Sequence, residues 1–191
     1  MITIVPYDPN WPEAFAAIAH PLRAVLGNLA LRVDHIGSTS VPGLAAKDII
    51  DVQITVRDFI CTPQLVAALG SLGYTLAPEI TTDHLPPLYE GPTTDWEKRY
   101  FRPPAELRPM HLHVRAQGRP NQRYPILFRD YLRAHPVARE AYALIKTNLS
   151  HRHPDDVDFY YDIKDPLCDI VIDAAEDWAK ATGWQVETCA E

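Results

Sequence analysis

The chain has 191 residues, of which 47% are hydrophobic and 23% charged, the balance of a folded globular protein rather than a disordered one. A formal net charge of −7 excludes a role in coating nucleic acid, which needs an excess of Lys and Arg facing phosphates, but leaves room for local phosphate-binding patches. No apolar run approaches the roughly 20 residues that cross a bilayer, so no membrane association is expected.

The opening stretch MITIVPYDPNW lacks the basic and apolar regions of a secretory signal, and a cytoplasmic location is the expectation. Cys61, Cys168 and Cys189 are odd in number and far apart, which predicts ordinary thiols and neither a zinc knuckle nor a disulfide framework. The 18 prolines punctuate the chain without gathering into a linker, and no repeat appears, so residues 1–191 read as one domain.

In chain order, Phe15, Ile18, Leu22 and Leu26 recur at helical spacing ahead of a stop at Gly27. Pro21 predicts a split into two short helices. Leu29, Leu31 and Val33 alternate with polar or small residues, a strand signal. A small-residue turn over residues 38–43 leads to DIIDVQITV, a second strand rich in β-branched residues. Residues 63–72 read as a helix and residues 81–95 as a long loop, either a lid or a surface excursion. Strands follow near residues 96–102 and 110–115. Helices are then expected from Pro136 to about Ser150 and from about Pro166 to Ala181. The fold class is α+β: a mixed central sheet flanked by helices, with a helical C-terminal third.

The richest stretch is IGSTSVPGLAAKDIIDVQITV, residues 36–56. Gly37 lets backbone approach a ligand, and exposed N–H groups with the hydroxyls of Ser38, Thr39 and Ser40 suit a phosphate chain. Asp51 and Gln53 lie two apart on a strand and share a side. One oxygen from each, aimed at the Gly-Ser turn, makes a site for a hard cation beside a triphosphate. That is the division of labour nucleotidyl transfer requires. A plain connection between two strands is the competing account. His111 and His113 likewise share one strand face, either as metal or phosphate contacts or as half-exposed packing residues. His35, opposite in direction to Ile36, is expected to reach the cleft. Among the basic residues Lys47, Lys98, Arg99, Arg102, Arg115, Arg129 and Arg133, most are expected to be structural ion pairs. Asp155, Asp156 and Asp158 read as a solvated loop and helix cap.

The stretch DHIGSTSVPGLAAKDIIDVQITV resembles the signature of the GrpB family, and the resemblance continues through VPYDPNWPEAF, WEKRYF, MHLHV and LFRDYLRAHPVAREAYALIK to Lys164 and Trp178. It implies the nucleotidyltransferase-like fold of the DNA polymerase beta superfamily, whose hydrophobic-Gly-Ser and Asp-hydrophobic-acidic-hydrophobic pattern matches Ile36-Gly37-Ser38 and Asp51-Val52-Gln53-Ile54. Gln53 departs from that pattern, since a neutral amide replaces the second carboxylate. In some bacteria a segment of this family is fused to dephospho-CoA kinase, which points to nucleotide metabolism.

The resemblance implies Asp51, Gln53, His111 and His113 as catalytic and metal-binding residues. Gly37, Ser38, Thr39, Ser40, Lys47, Lys98 and Arg129 would hold ATP or another nucleoside triphosphate, with Mg²⁺ or Mn²⁺ as the metal and a small molecule as acceptor. A diverged ligand-binding module, or another metal-dependent enzyme using the His-x-His pair, are the alternatives.

Overall fold

The computed structural model describes residues 1–186, so Cys189 lies outside the described residues. It is an α+β arrangement of five strands and five helices: α1 (Trp11–Leu26), β1 (Arg32–Ile36), β2 (Ile50–Val56), α2 (Thr62–Gly70), β3 (Thr75–Leu76), β4 (Arg99–Arg102), β5 (Met110–Ala116), α3 (Pro120–Ala134), α4 (Pro136–Arg152) and α5 (Val157–Thr182). Among the described residues no helix is long and apolar enough to cross a membrane.

The sheet runs in the order β1-β2-β5-β4-β3. Only the central pair, β2 with β5, is parallel; the others are antiparallel. Alternation along the strands sorts side chains onto two unlike faces. Ile50, Val52 and Ile54 of β2 and Leu112 and Val114 of β5 join Phe101 in the main apolar core, against Leu22 and Leu26 of α1 and Leu65 and Leu69 of α2. Each fully buried aliphatic side chain there contributes roughly 1.5–3 kcal/mol. The opposite face carries Asp51, Gln53, Thr55, His111, His113 and Arg115, and lies under the C-terminal helices. A polar sheet face buried by helices needs partners for every group. That requirement is what assembles the site.

Several features depart from the sequence expectations, most of them through proline or glycine. Helix α1 is continuous through Pro21, because Ile18, Ala19 and Leu22 around it are buried in the core and outweigh one lost backbone bond. The first strand starts at Arg32, not Leu29, because residues 27–29 form a 3₁₀ turn behind Gly27 at φ +48°. Helix α5 starts at Val157, and Pro166 sits inside it. Its N-cap is Asp156, whose carboxylate accepts from Phe159 N at 3.0 Å, so the acidic cluster caps a helix as expected. The chain after Met110 also holds α3, which starts at Pro120 and runs through Pro125. Trp96 lies in a 3₁₀ turn ahead of β4, and Cys61 and Cys168 are free thiols.

Candidate functional site

Register places the key pair. Asp51 faces Ile36 across the β1–β2 hairpin and His111 across the parallel β2–β5 pair. The Asp51 carboxylate therefore lies against the turn that leaves β1. Gly37 occupies that contact at φ +69°, ψ −175°, a conformation essentially confined to glycine. A Cβ there would sit 2.8 Å from Asp51 Cγ and 2.9 Å from Asp51 Cβ. Gly37 is thus present so that backbone and carboxylate touch.

A cavity of about 520 Å³ opens beside this contact, lined by Gly37, Ser38 and Thr39 of the turn, Asp51 of β2, Tyr100 of β4, and His111 and His113 of β5. Helices α4 and α5 close it with Tyr142, Lys146, Tyr160, Tyr161, Lys164 and Cys168. Asp51 is the one carboxylate in a lining that holds four lysines, Lys47, Lys98, Lys146 and Lys164. In a chain of net charge −7, this lining is locally richer in lysine than in carboxylate. A larger groove, about 1330 Å³, runs elsewhere past Arg57, Arg119 and Trp184, and it contains none of the catalytic or binding candidates expected from sequence.

The lysines differ in their ties. Lys98 Nζ donates to Asp83 at 2.8 Å, and Lys164 Nζ to Asp165 at 2.9 Å. Lys47 Nζ donates to Tyr161 Oη at 2.9 Å and lies over the Tyr160 and Tyr161 rings. Lys146, on the buried side of α4, donates to Ser38 Oγ at 2.8 Å and to the Ala45 carbonyl at 2.7 Å. Burial, then the Lys164 charge, bring the Lys146 ammonium down to about 7 against the opposing pull of Cys168 and Asp51. Burial likewise raises the Asp51 carboxyl above its ordinary value, with His111, Lys47 and Lys164 pulling the other way.

His111 Nδ1 and Tyr100 Oη are 2.7 Å apart, and burial holds His113 well below the ordinary imidazole value while its Nδ1 has no hydrogen-bond partner. Among the described residues no group of three or more His, Cys, Asp or Glu side chains is arranged to hold a metal ion.

Several residues singled out by sequence do other work. Gln53 points to the same side as Asp51 but is fully buried outside the cavity: its amide donates to the Gln122 carbonyl at 2.9 Å and accepts from Arg115 at 2.7 Å. Arg129 pairs with Asp130 and donates to the His35 carbonyl, and Arg133 donates to the Ser40 carbonyl, so both brace the turn from behind. The Ser40 hydroxyl is turned back to the Gly37 carbonyl at 2.5 Å, away from the cavity. Arg99 and Arg102 pair with Glu97 and Glu79.

His35 does not reach the cleft. It stacks on Phe15 at 4.7 Å on the core side, 3.0 Å from Thr39 Oγ1. Burial first, then Arg133 and Arg129, lower its imidazole to about 4. An unfolded histidine titrates near 6.5, so between about 6.5 and 4 the unfolded chain binds the extra proton. Folding stability is expected to be full above that window and to fall as pH drops through it. Thermal melts of His35→Gln across pH 4–7 should be flatter than those of the wild type; parallel curves would remove His35 as the cause.

Sequence reasoning passed over Lys146 and Tyr142, on a helix read only for its apolar face, and Tyr160 and Tyr161, ahead of the expected start of the last helix; Cys168 was read only as an ordinary thiol. One signal existed: Lys146 follows Tyr142 by four residues, so it shares the buried stripe of α4. It also passed over Asp83, in the long loop. Asp83 accepts from Lys98, from Arg115 at 2.7 and 2.8 Å, and from Asn121 at 3.0 Å. The root of that loop is thereby pinned to the sheet, while Leu88 at its tip is 96% exposed.

The sequence profile of the family described as GrpB protein matches residues 1–174. A crystal structure of the conserved protein GrpB from Enterococcus faecalis superposes with a TM-score of 0.75 at 31% identity, covering 92% of this chain and 99% of that one. The dephospho-CoA kinase of Mycolicibacterium paratuberculosis is 37% identical over 96% of this chain, and the UPF0157 protein YqkA of Bacillus subtilis 34% over 94%. In both cases the matched region is 48% of the relative, so the chain spans about half the length of these curated relatives.

Proposed function

We propose that this chain, which belongs to the GrpB family, binds a nucleoside triphosphate in the lysine-lined cavity and transfers its nucleotidyl group to a small acceptor. One observation carries the reading: the Gly37-Ser38 turn, the Asp51 carboxylate and the Lys146 side-chain nitrogen meet at the head of a cavity also lined by Lys47, Lys98 and Lys164. Ser38, Lys47 and Lys164 would take the phosphates, and Tyr160 and Tyr161 offer ring faces to a base. The order turn, Asp51 strand, then a neighbouring strand carrying His111 agrees with the nucleotidyltransferase-like pattern expected from sequence. One relative is named for kinase action on dephospho-CoA, a nucleotide-bearing substrate, although the matched region is only half of that protein.

Asp51 alone offers a cation a charged ligand here, so Mg²⁺ or Mn²⁺ would enter with the triphosphate. Titration calorimetry with ATP is the test. Wild type should bind, and Lys47→Met should weaken binding about tenfold or more, about 1.4 kcal/mol. No heat from the wild type at millimolar ATP, with or without Mg²⁺, would end the reading.

Asp51→Asn separates chemistry from stability. The folded carboxyl titrates above its unfolded value, so the folded protein holds the proton more tightly and loses stability as pH rises through that interval. Removing the titratable group is expected to raise Tm at pH 7 while abolishing turnover. A lower Tm would contradict the burial argument.

The fixed orientation of Gln53, held by Arg115 and Gln122, favours a second reading in which the cavity binds nucleotide without transfer. It predicts that labelled ATP stays intact with every candidate acceptor.

A further inference from the structure

Lys146 is 2% exposed, forms no ion pair among the described residues, and its Nζ meets only neutral oxygens, Ser38 Oγ at 2.8 Å and the Ala45 carbonyl at 2.7 Å. The Tyr142 ring lies beneath it, 4.6 Å from Nζ to centroid. A buried ammonium ordinarily has a carboxylate partner, because its hydration is lost. The amine here is instead placed as a neutral group would be. A neutral amine has one lone pair, and if one of its hydrogens goes to Ala45, the lone pair can accept the Ser38 hydroxyl proton. The hydroxyl that receives this attention stands at the mouth of the cavity, next to the glycine that Asp51 touches.

We propose that Ser38 is a nucleophile of this site, that Lys146 is the base that takes its proton, and that the group in transit is carried covalently on Ser38 Oγ. For its substrate the inference rests on the nucleotide reading above. Asp51 is the lone carboxylate in the cavity and Gln53 is spent elsewhere, so the two-carboxylate arrangement for a single direct displacement is not assembled. Two displacements replace it. In the first, Ser38 Oγ forms a bond to the α-phosphorus, the bond from that phosphorus to pyrophosphate breaks, and the Oγ proton passes to Lys146 Nζ. In the second, an acceptor oxygen bonds to the same phosphorus, the Oγ–P bond breaks, Lys146 returns its proton to Oγ, and the acceptor proton leaves to solvent. One phosphate anhydride is consumed, with no oxidant or reductant. Activation of a hydroxyl by an adjacent amine is the general arrangement of nucleophile and base. The charged and titratable groups facing the amine are Lys47, Asp51, Tyr142, Lys164 and Cys168.

The probe is a fluorophosphonate, a phosphorus electrophile with fluoride as leaving group, applied to the intact wild-type chain and followed by peptide mapping. Ser38 should be labelled at a rate that rises as pH passes through about 7. Lys146→Arg keeps the positive charge and cannot accept a proton; it should label roughly a hundredfold more slowly or worse. Lys146→Gln, checked for folding by thermal melt, should be equally slow. An unlabelled Ser38 in the wild type, or Lys146→Arg labelled at the wild-type rate, overturns the proposal, and the first result needs no variant to fold. ATP should slow the labelling. Lysine-dependent labelling without ATP protection or calorimetric binding upholds the nucleophile and overturns the nucleotide substrate. ATP binding without Ser38 labelling does the reverse.

Discussion

Asp83→Ala is expected to destabilise the protein by about 3–5 kcal/mol, the usual cost of stripping one partner from a buried ionic cluster. The Asp83 side chain is 15% exposed, and the two cations it serves, Lys98 and Arg115, are 10% and 7% exposed. Arg115 grips it through two nitrogens, and the same guanidinium reaches Gln53. Removing the carboxylate leaves two buried positive charges facing each other across the polar sheet face. Burial alone would raise the Asp83 carboxyl, but Arg115, by charge and hydrogen bond, and then Lys98 hold it well below the usual carboxylate range. Its contribution is therefore complete above about pH 4, where the unfolded carboxylate is ionised, and is lost as pH falls toward the lowered folded value. Urea titrations at pH 7 should show the midpoint falling steeply. A loss under 1 kcal/mol would mean that water reaches the cluster and screens it.

Gly37→Ala is expected to cost roughly 3 kcal/mol or more and to close the head of the cavity. Two costs combine. The backbone conformation at φ +69° and ψ −175° is worth about 1–3 kcal/mol of strain for a residue with a Cβ. The new methyl also lands on Asp51, and crowding of this kind adds about 1–3 kcal/mol. Rotating the carboxylate aside does not relieve it, because the Asp51 Cβ is itself 2.9 Å away. Thermal melts together with ATP calorimetry would show lower stability and no binding. A variant that melts and binds like wild type would mean that Asp51 does not rest on the turn.

The polar face of the sheet was legible in the sequence because alternation is a local property. Period two set Asp51 and the His111/His113 pair on strand faces, the family resemblance singled them out, and the parallel pairing of β2 with β5 brings Asp51 beside His111. The fate of Gln53 was not legible. Two residues on the same face of one strand still have different neighbours, and those of Gln53 are a backbone carbonyl of α3 and an arginine on β5. Lys146, Tyr142, Tyr160 and Tyr161 belong to helices more than 90 residues beyond Asp51 in the sequence. Their meeting with the turn depends on how helices cross the sheet, which no spacing encodes. Prolines misled for a related reason. Pro21 and Pro166, read as a break and as a start, each lie inside a helix, because tertiary burial outweighs a single broken backbone bond.

The parallel junction between β2 and β5 sets an order of events for the nascent chain. Residues 50–56 have an unfilled edge until residues 110–116 arrive, and the excursion between them must close before the sheet has a centre. The last wall of the cavity comes later still, with Lys164 and Cys168. A ribosome-bound chain halted with residues 110–116 clear of the exit tunnel but α5 not yet exposed is therefore expected to protect its first helix from proteolysis while its cavity still lacks the wall that α5 supplies.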